Sequence, residues 1–228
     1  MLIFLHYLVR QVECLFTFRR RIRHCFCVGS VFFSASVFAH PHSWIDMKTT
    51  ILGDEKAMTG LEMQWTFDAM TTAYLFDGED MSPEQQENTL ITLAQSIIGN
   101  MLPQHYFTYL YERETPIKYQ QVASATLTAN KGKATLSFTL LLSQPYPLNG
   151  QPLTLKIFDP TYYVDMSWQK KQDIQFAPAL DKYCTSTLIQ PKPTAAQISY
   201  AMSLPVDADP DDQLGQLFTQ TLELSCQA

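Results

Sequence analysis

The chain has 228 residues, 17% of them charged, with 16 lysine and arginine against 22 aspartate and glutamate residues and a formal net charge of −6. Its cations are scattered rather than clustered in the part that follows the N-terminal segment, which excludes the basic footprint of a nucleic-acid binder. No GxSxG, HExxH, P-loop or GxGxxG pattern occurs, so the enzyme classes those motifs mark are excluded as well.

In chain order, Arg19, Arg20, Arg21 and Arg23 precede an apolar run over 25–38 that closes on Val37-Phe38-Ala39. A basic region, a short apolar stretch and a small-residue cut site are the parts of a secretory signal. The run is too short to span a bilayer comfortably. Residues 1–39 are therefore expected to be removed on export, leaving one periplasmic domain over 40–228 with no transmembrane segment. Their loss takes five arginines and one glutamate, leaves 11 basic and 21 acidic residues, and moves the formal net charge to −10. It also leaves two cysteines, Cys184 and Cys226, which in an exported chain most simply form one disulfide. Closing that loop stabilises the fold by roughly 4 kcal/mol in the chain-entropy treatment. Neither cysteine belongs to a CxxC pair, so a thiolate metal site is unsupported.

Alternating apolar and polar residues over 44–52, the turn 53–56 and a second alternation that puts Leu61, Met63, Trp65 and Phe67 on one face predict a β-hairpin. Residues 69–81 read as irregular or briefly helical. Ser82-Pro83-Glu84-Gln85 then gives a helix start with a capping box, and Leu90, Ile91, Ala94, Ile97, Ile98 and Met101 recur at helical spacing, predicting one long helix over about 83–101. Strands are predicted over 106–111, 122–129, 133–142, 153–158 and 162–168, with Ala134, Leu136, Phe138, Leu140 and Leu142 on one apolar face. A short helix over about 194–203 and a last segment over 213–226 complete the chain. The fold class is α+β, mostly antiparallel and sandwich-like, with one long helix and a short C-terminal helix.

The expected mature chain has three histidines, and two of them, His40 and His42, fall in its first three residues. Cleavage after Ala39 frees the His40 amine beside two imidazoles, and all three groups are nitrogen donors for a divalent transition metal. Pro41 has no backbone N–H, so the square-planar site that recruits two successive amide nitrogens before a third-position histidine is blocked. A ring-nitrogen site completed by carboxylates remains, suited to Zn²⁺, Ni²⁺ or Cu²⁺. Asp68, in Trp65-Thr66-Phe67-Asp68, and Asp159, in Phe158-Asp159-Pro160-Thr161-Tyr162-Tyr163-Val164-Asp165, are the candidate carboxylates, each set among aromatics where an unpaired charge is costly. Each also has a plain structural reading, Asp68 as a helix N-cap and Asp159 as a turn residue before proline. His105, at the helix exit, reads more readily as a surface histidine, and the acidic run at 207–212 lacks the glycine and distal glutamate of a calcium loop.

The three runs His40-Pro41-His42-Ser43-Trp44-Ile45-Asp46, Trp65-Thr66-Phe67-Asp68 and Phe158-Asp159-Pro160-Thr161-Tyr162-Tyr163-Val164-Asp165 together resemble a bacterial domain-of-unknown-function family, described as periplasmic components of uncharacterised ABC-type transport systems. The chain is similar over about 40–226 to Zev-type zinc-uptake periplasmic proteins, which work with a nickel/cobalt-exporter-like membrane permease. The resemblance implies periplasmic handling of a transition metal, zinc favoured and nickel or cobalt as alternatives, with His40, His42, Asp68, Asp159, Tyr162 and Tyr163 at the family's motif positions. The chain lacks the length of a two-lobed solute receptor, which favours a compact accessory of an inner-membrane metal permease. The expectation is a non-enzymatic metal-binding accessory. Its alternatives are a copper redox protein with an N-terminal histidine brace and a metal-free structural partner of the permease.

Overall fold

Side-chain alternation sets the first sheet of this computed structural model, which describes residues 41–204 and 213–228. The expected signal over 1–39, His40 and the acidic run at 207–212 lie outside the described residues. Strand β1 (Ser43–Gly53) buries Ile45, Met47, Thr49 and Ile51, and β2 (Ala57–Phe67) returns antiparallel to it, burying Leu61, Met63, Trp65 and Phe67. Period-two burial of this kind places one face of each strand in the core and the other toward solvent. Buried Thr49 keeps its hydroxyl satisfied, accepting from Trp168 Nε1 at 3.0 Å and donating to Met63 Sδ at 3.4 Å.

The chain then forms α1 (Ala69–Leu75) and α2 (Gln86–Met101) before β3 (Thr108–Glu112), β4 (Thr115–Pro116), β5 (Ala125–Asn130) and β6 (Lys133–Pro147). After these come β7 (Leu153–Ile157), β8 (Val164–Ser167), β9 (Ile174–Phe176), β10 (Cys184–Ile189), α3 (Ala195–Ser203), α4 (Leu214–Phe218) and β11 (Thr221–Cys226). One sheet has the order β5-β6-β2-β1-β8, with β9 also on β1; the other runs β10-β11-β7-β3-β4. The inner faces of both sheets feed one core, from Leu61, Met63, Leu136 and Leu140 on one side to Leu110, Leu155, Leu222 and Leu224 on the other. The arrangement is a mixture of helices and strands, mostly strands in two sheets, and among the described residues the helix over Gln86–Met101 and the short one over Ala195–Ser203 are accompanied by two further short helices.

Four expectations need correction. Among the described residues the antiparallel reading holds for seven of nine strand pairs and is limited at β1, where β8 and β9 both pair parallel. Such pairings require long crossovers that leave no local signature in the sequence. The long helix starts at Gln86 rather than 83, because Ser82 supplies its carbonyl, not its hydroxyl: Gln85 N and Gln86 N donate to Ser82 O at 3.0 and 2.8 Å, closing a turn over 83–85. The strand expected from Tyr106 begins at Thr108, because His105, Tyr106 and Phe107 turn through φ of 53°, 56° and 55° at the helix exit. The strand expected from Tyr162 begins at Val164, because Asp159–Tyr163 forms a tight loop in which Tyr162 has φ 60°. At α3 the Thr194 cap is a full capping box: Thr194 Oγ1 accepts from Gln197 N, and Thr194 N donates to Gln197 Oε1.

Candidate metal-capture site at the start of β1

Strand β1 lies between an antiparallel and a parallel neighbour. An antiparallel partner brings its last residues, and a parallel partner its first, to the beginning of the strand they share. The end of β2, with Asp68, and the start of β8, with Tyr163–Asp165, therefore meet at His42–Trp44. The structure brings together the three motifs that stand apart in the sequence.

Asp68 caps α1. Its Oδ1 accepts from Met70 N at 2.8 Å and Thr71 N at 3.0 Å, and its Oδ2 accepts from Trp44 N at 2.9 Å and from the Thr71 hydroxyl. Asp68 N returns a bond to Trp44 O at 3.0 Å, and Thr71 Oγ1 also reaches Ser43 Oγ at 2.8 Å. Burial opposes the charge, but the Thr71 hydroxyl and the Trp44, Thr71 and Met70 N–H groups outweigh it and hold the carboxyl below the usual range. Four donors occupy both oxygens, so the group serves to fix the β2–α1 corner to β1.

Because its pKa is lower folded than unfolded, Asp68 contributes stability above the unfolded value, near pH 4, and loses it as pH falls through the folded value. Asp68→Ala is expected to cost about 1–2 kcal/mol at pH 7, the size of a lost N-cap. The gap from the parent chain should narrow below about pH 4, and urea unfolding at pH 7 and pH 3 measures it.

Asp159, 7% exposed, shapes the loop into β8. Its Oδ1 accepts from Thr161 N at 3.0 Å and Thr161 Oγ1 at 2.8 Å, its Oδ2 from Val164 N at 3.1 Å, and its carbonyl from Tyr162 N at 3.0 Å. This is an Asx-type turn, the role its place before proline allows. The loop is clamped from outside by α4: Gly215 N donates to Pro160 O at 2.8 Å, and Tyr162 stacks on Phe218 with centroids 4.2 Å apart.

The loop in turn holds the histidine segment. His42 N and Ser43 N donate to Tyr163 O at 2.9 and 3.3 Å, and the His42 and Tyr163 rings lie 5.4 Å apart. In the parallel register Ser43 pairs with Val164, Trp44 with Asp165 and Ile45 with Met166. Ile45 and Met166 face the core, so by alternation Trp44 and Asp165 face away from it, and His42 lies in the bend just before the strand. Asp165 is half-buried there, and burial raises its carboxyl above the usual range. The same burial, with the Asp165 charge second, pushes the Tyr162 hydroxyl up to about 12.

The structure thus brings His42, Asp68 and the Asp159 loop to one end of the sheet, with Asp68 and Asp159 engaged by local donors. Asp165 is the carboxylate that sequence reasoning passed over. Its signal was present in the Tyr162-Tyr163-Val164-Asp165 alternation, but reading it requires knowing that β8 lies beside β1. His105 sits at the exit of α2 with its ring against Tyr109, whose ring in turn lies 4.7 Å from that of Phe158, the neighbour of Asp159. Among the described residues no group of three or more His, Cys, Asp and Glu side chains converges to hold a metal ion. Nor, among them, is any helix long and apolar enough to cross a membrane. Cys184 and Cys226 form the expected disulfide across the β10–β11 pair.

Comparison with known proteins gives two findings. A protein of Haemophilus influenzae described as an uncharacterized protein is 31% identical over 201 residues, covering 86% of this chain and 96% of that one. The family model for a protein of unknown function, DUF1007, matches residues 25–226, and the chain belongs to that family.

Proposed function

We propose that the protein is a periplasmic, non-enzymatic accessory of a metal transport system that captures a divalent transition metal, zinc above nickel or cobalt, at the start of β1 and passes it to an inner-membrane permease. The observation that supports this reading is the meeting of the three motifs at the start of β1, where His42 N and Ser43 N donate to Tyr163 O and Trp44 pairs with Asp165. His40, two residues before His42, extends the set with its imidazole and, after cleavage at Ala39, its amine. Imidazole nitrogens with one carboxylate suit Zn²⁺ and its neighbours. Asp68 and Asp159, engaged by local donors, hold the backbone on which such a site would sit. The disulfide supports an oxidising compartment such as the periplasm.

Native mass spectrometry and equilibrium dialysis of the exported protein against Zn²⁺, Ni²⁺, Co²⁺ and Cu²⁺ test the proposal. One bound equivalent is expected, lost in the His40→Ala/His42→Ala double variant. Asp165→Asn should weaken binding by about 10–100-fold, the effect of losing one supporting group at a metal site. Absence of binding, or binding indifferent to both histidines, rejects the reading.

A further inference from the structure

We infer that the groove between α1 and α2 is a docking surface for a basic, amphipathic segment of another protein, which seats a bulky apolar side chain in the groove and sets lysine or arginine on its rim. The groove encloses about 400 Å³. Its depth is graded: Phe67 is buried, Leu75 and Ile97 are half-buried, and Tyr74 stands 83% exposed at the mouth. Asp77 and Glu79, both exposed, complete the rim. An apolar hollow with a polar rim is the form of a protein–protein contact.

The two helices leave this surface open. Helix α2 fully buries only Ala94 and Met101, while Leu90, Leu93 and Ile97, which recur at spacings of three and four and share one stripe, are half-buried. Helix α1 buries only Thr72.

Charge decides what covers it. Over 57–112 the chain carries eight acidic residues and no lysine or arginine. Asp77 and Glu79 follow the C-terminus of α1, where the helix carbonyls already carry partial negative charge and favour a cation. The last turn of α1 has no basic residue to answer them. Among the described residues the ion pairs are Lys133–Asp46 and Lys182–Glu55, and neither reaches this rim. A partner's lysine or arginine offsets the carboxylates and the helix end together, whereas an anionic bilayer surface is repelled. A second copy of this chain, docking face to face about a two-fold axis, sets the same acidic rim against itself.

Thr71, in the groove wall, also bonds Asp68 and reaches Ser43 Oγ at 2.8 Å, so a docked segment lies beside the start of β1. That adjacency suits transfer of a captured ion to the partner, and docking itself does not rest on the metal reading.

Three dye-labelled short peptides make the test, read by fluorescence anisotropy on the exported protein freed of metal by a chelator: lysine–leucine, lysine–serine of the same charge, and glutamate–leucine of the same apolarity. The lysine–leucine peptide is expected to bind, the lysine–serine peptide about tenfold more weakly, and the glutamate–leucine peptide not at all. Tyr74→Ala, which removes an exposed ring that the fold does not need, should weaken lysine–leucine binding about tenfold. Asp77→Asn/Glu79→Gln should weaken it about three- to tenfold at low salt and flatten its salt dependence. Carbodiimide coupling, which joins a bound lysine amine to a carboxylate in contact with it, should mark Asp77 or Glu79 on peptide mapping. Absent lysine–leucine binding, binding that both variants leave unchanged, equal binding of the lysine–serine peptide, or coupling only to carboxylates elsewhere overturns the inference. So does self-association, or attachment to phosphatidylglycerol vesicles, that Tyr74→Ala abolishes, since each gives the groove another occupant. The protein is metal-free throughout, so a failure of metal capture leaves these results standing.

Discussion

Gly215→Ala is expected to destabilise the protein by about 1–3 kcal/mol or more and to loosen metal capture at β1, although the residue touches none of the proposed ligands. A Cβ built at Gly215 overlaps the carbonyl of Asp159 and comes within 3.0 Å of the Pro160 carbonyl. Both neighbours are backbone, so no side chain can swing aside. The loop must move, and with it the Asx turn at Asp159, the Tyr162–Phe218 stack and the Tyr163 carbonyl that receives His42 N and Ser43 N. Gly99 is the control. It lies inside α2 with open space where a Cβ would go, so Gly99→Ala should stabilise by about 0.5–1 kcal/mol through helix propensity. Denaturant unfolding of the two variants, with zinc dialysis on each, reads the contrast. Unchanged stability in Gly215→Ala would show that α4 does not clamp the loop.

The β1–β2 hairpin and the apolar face of β6 were legible because one face of each strand is buried, and period two then writes itself into the residues. The long helix was legible from its spacing, while its first turn was not, since Ser82 offers either a hydroxyl or a carbonyl and only the fold selects. The parallel contacts of β8 and β9 left no trace, because the residues that pair lie more than a hundred positions apart in sequence. That gap also hid Asp165. Asp159 announces itself by standing before proline, yet that same feature draws its carboxylate into turn bonds. The left-handed run at 105–107 hides for a related reason: aromatic residues favour strands, and the propensity yielded to a helix exit where the buried Tyr106 hydroxyl accepts from Val122 N. The disulfide was the easiest reading, since the two cysteines that follow the expected signal allow one pairing between them.

Breaking that disulfide is expected to lower stability by about 4 kcal/mol, and by less where the unfolded chain keeps residual structure, without touching metal capture. Cys184 and Cys226 are 42 positions apart and face one another at one end of the β10–β11 ladder, with Cα atoms 4.1 Å apart. Strand β10 is the edge of its sheet and is held by β11 alone along that ladder. Without the covalent link the edge strand should fray first, so amide exchange in Thr185–Ile189 should accelerate ahead of global unfolding. The bond also sits at the far end of the fold from His42: Gly150 N donates to Cys226 O, and Leu148 N to Lys56 O, which ties this region to the β1–β2 turn rather than to the start of β1. A Cys184→Ala/Cys226→Ala variant should therefore melt earlier, exchange faster in β10 and still bind one equivalent of zinc below its melting temperature. Loss of zinc binding in the folded variant would mean that the two ends of β1 are coupled, and would turn the disulfide from a staple into a control point for the site.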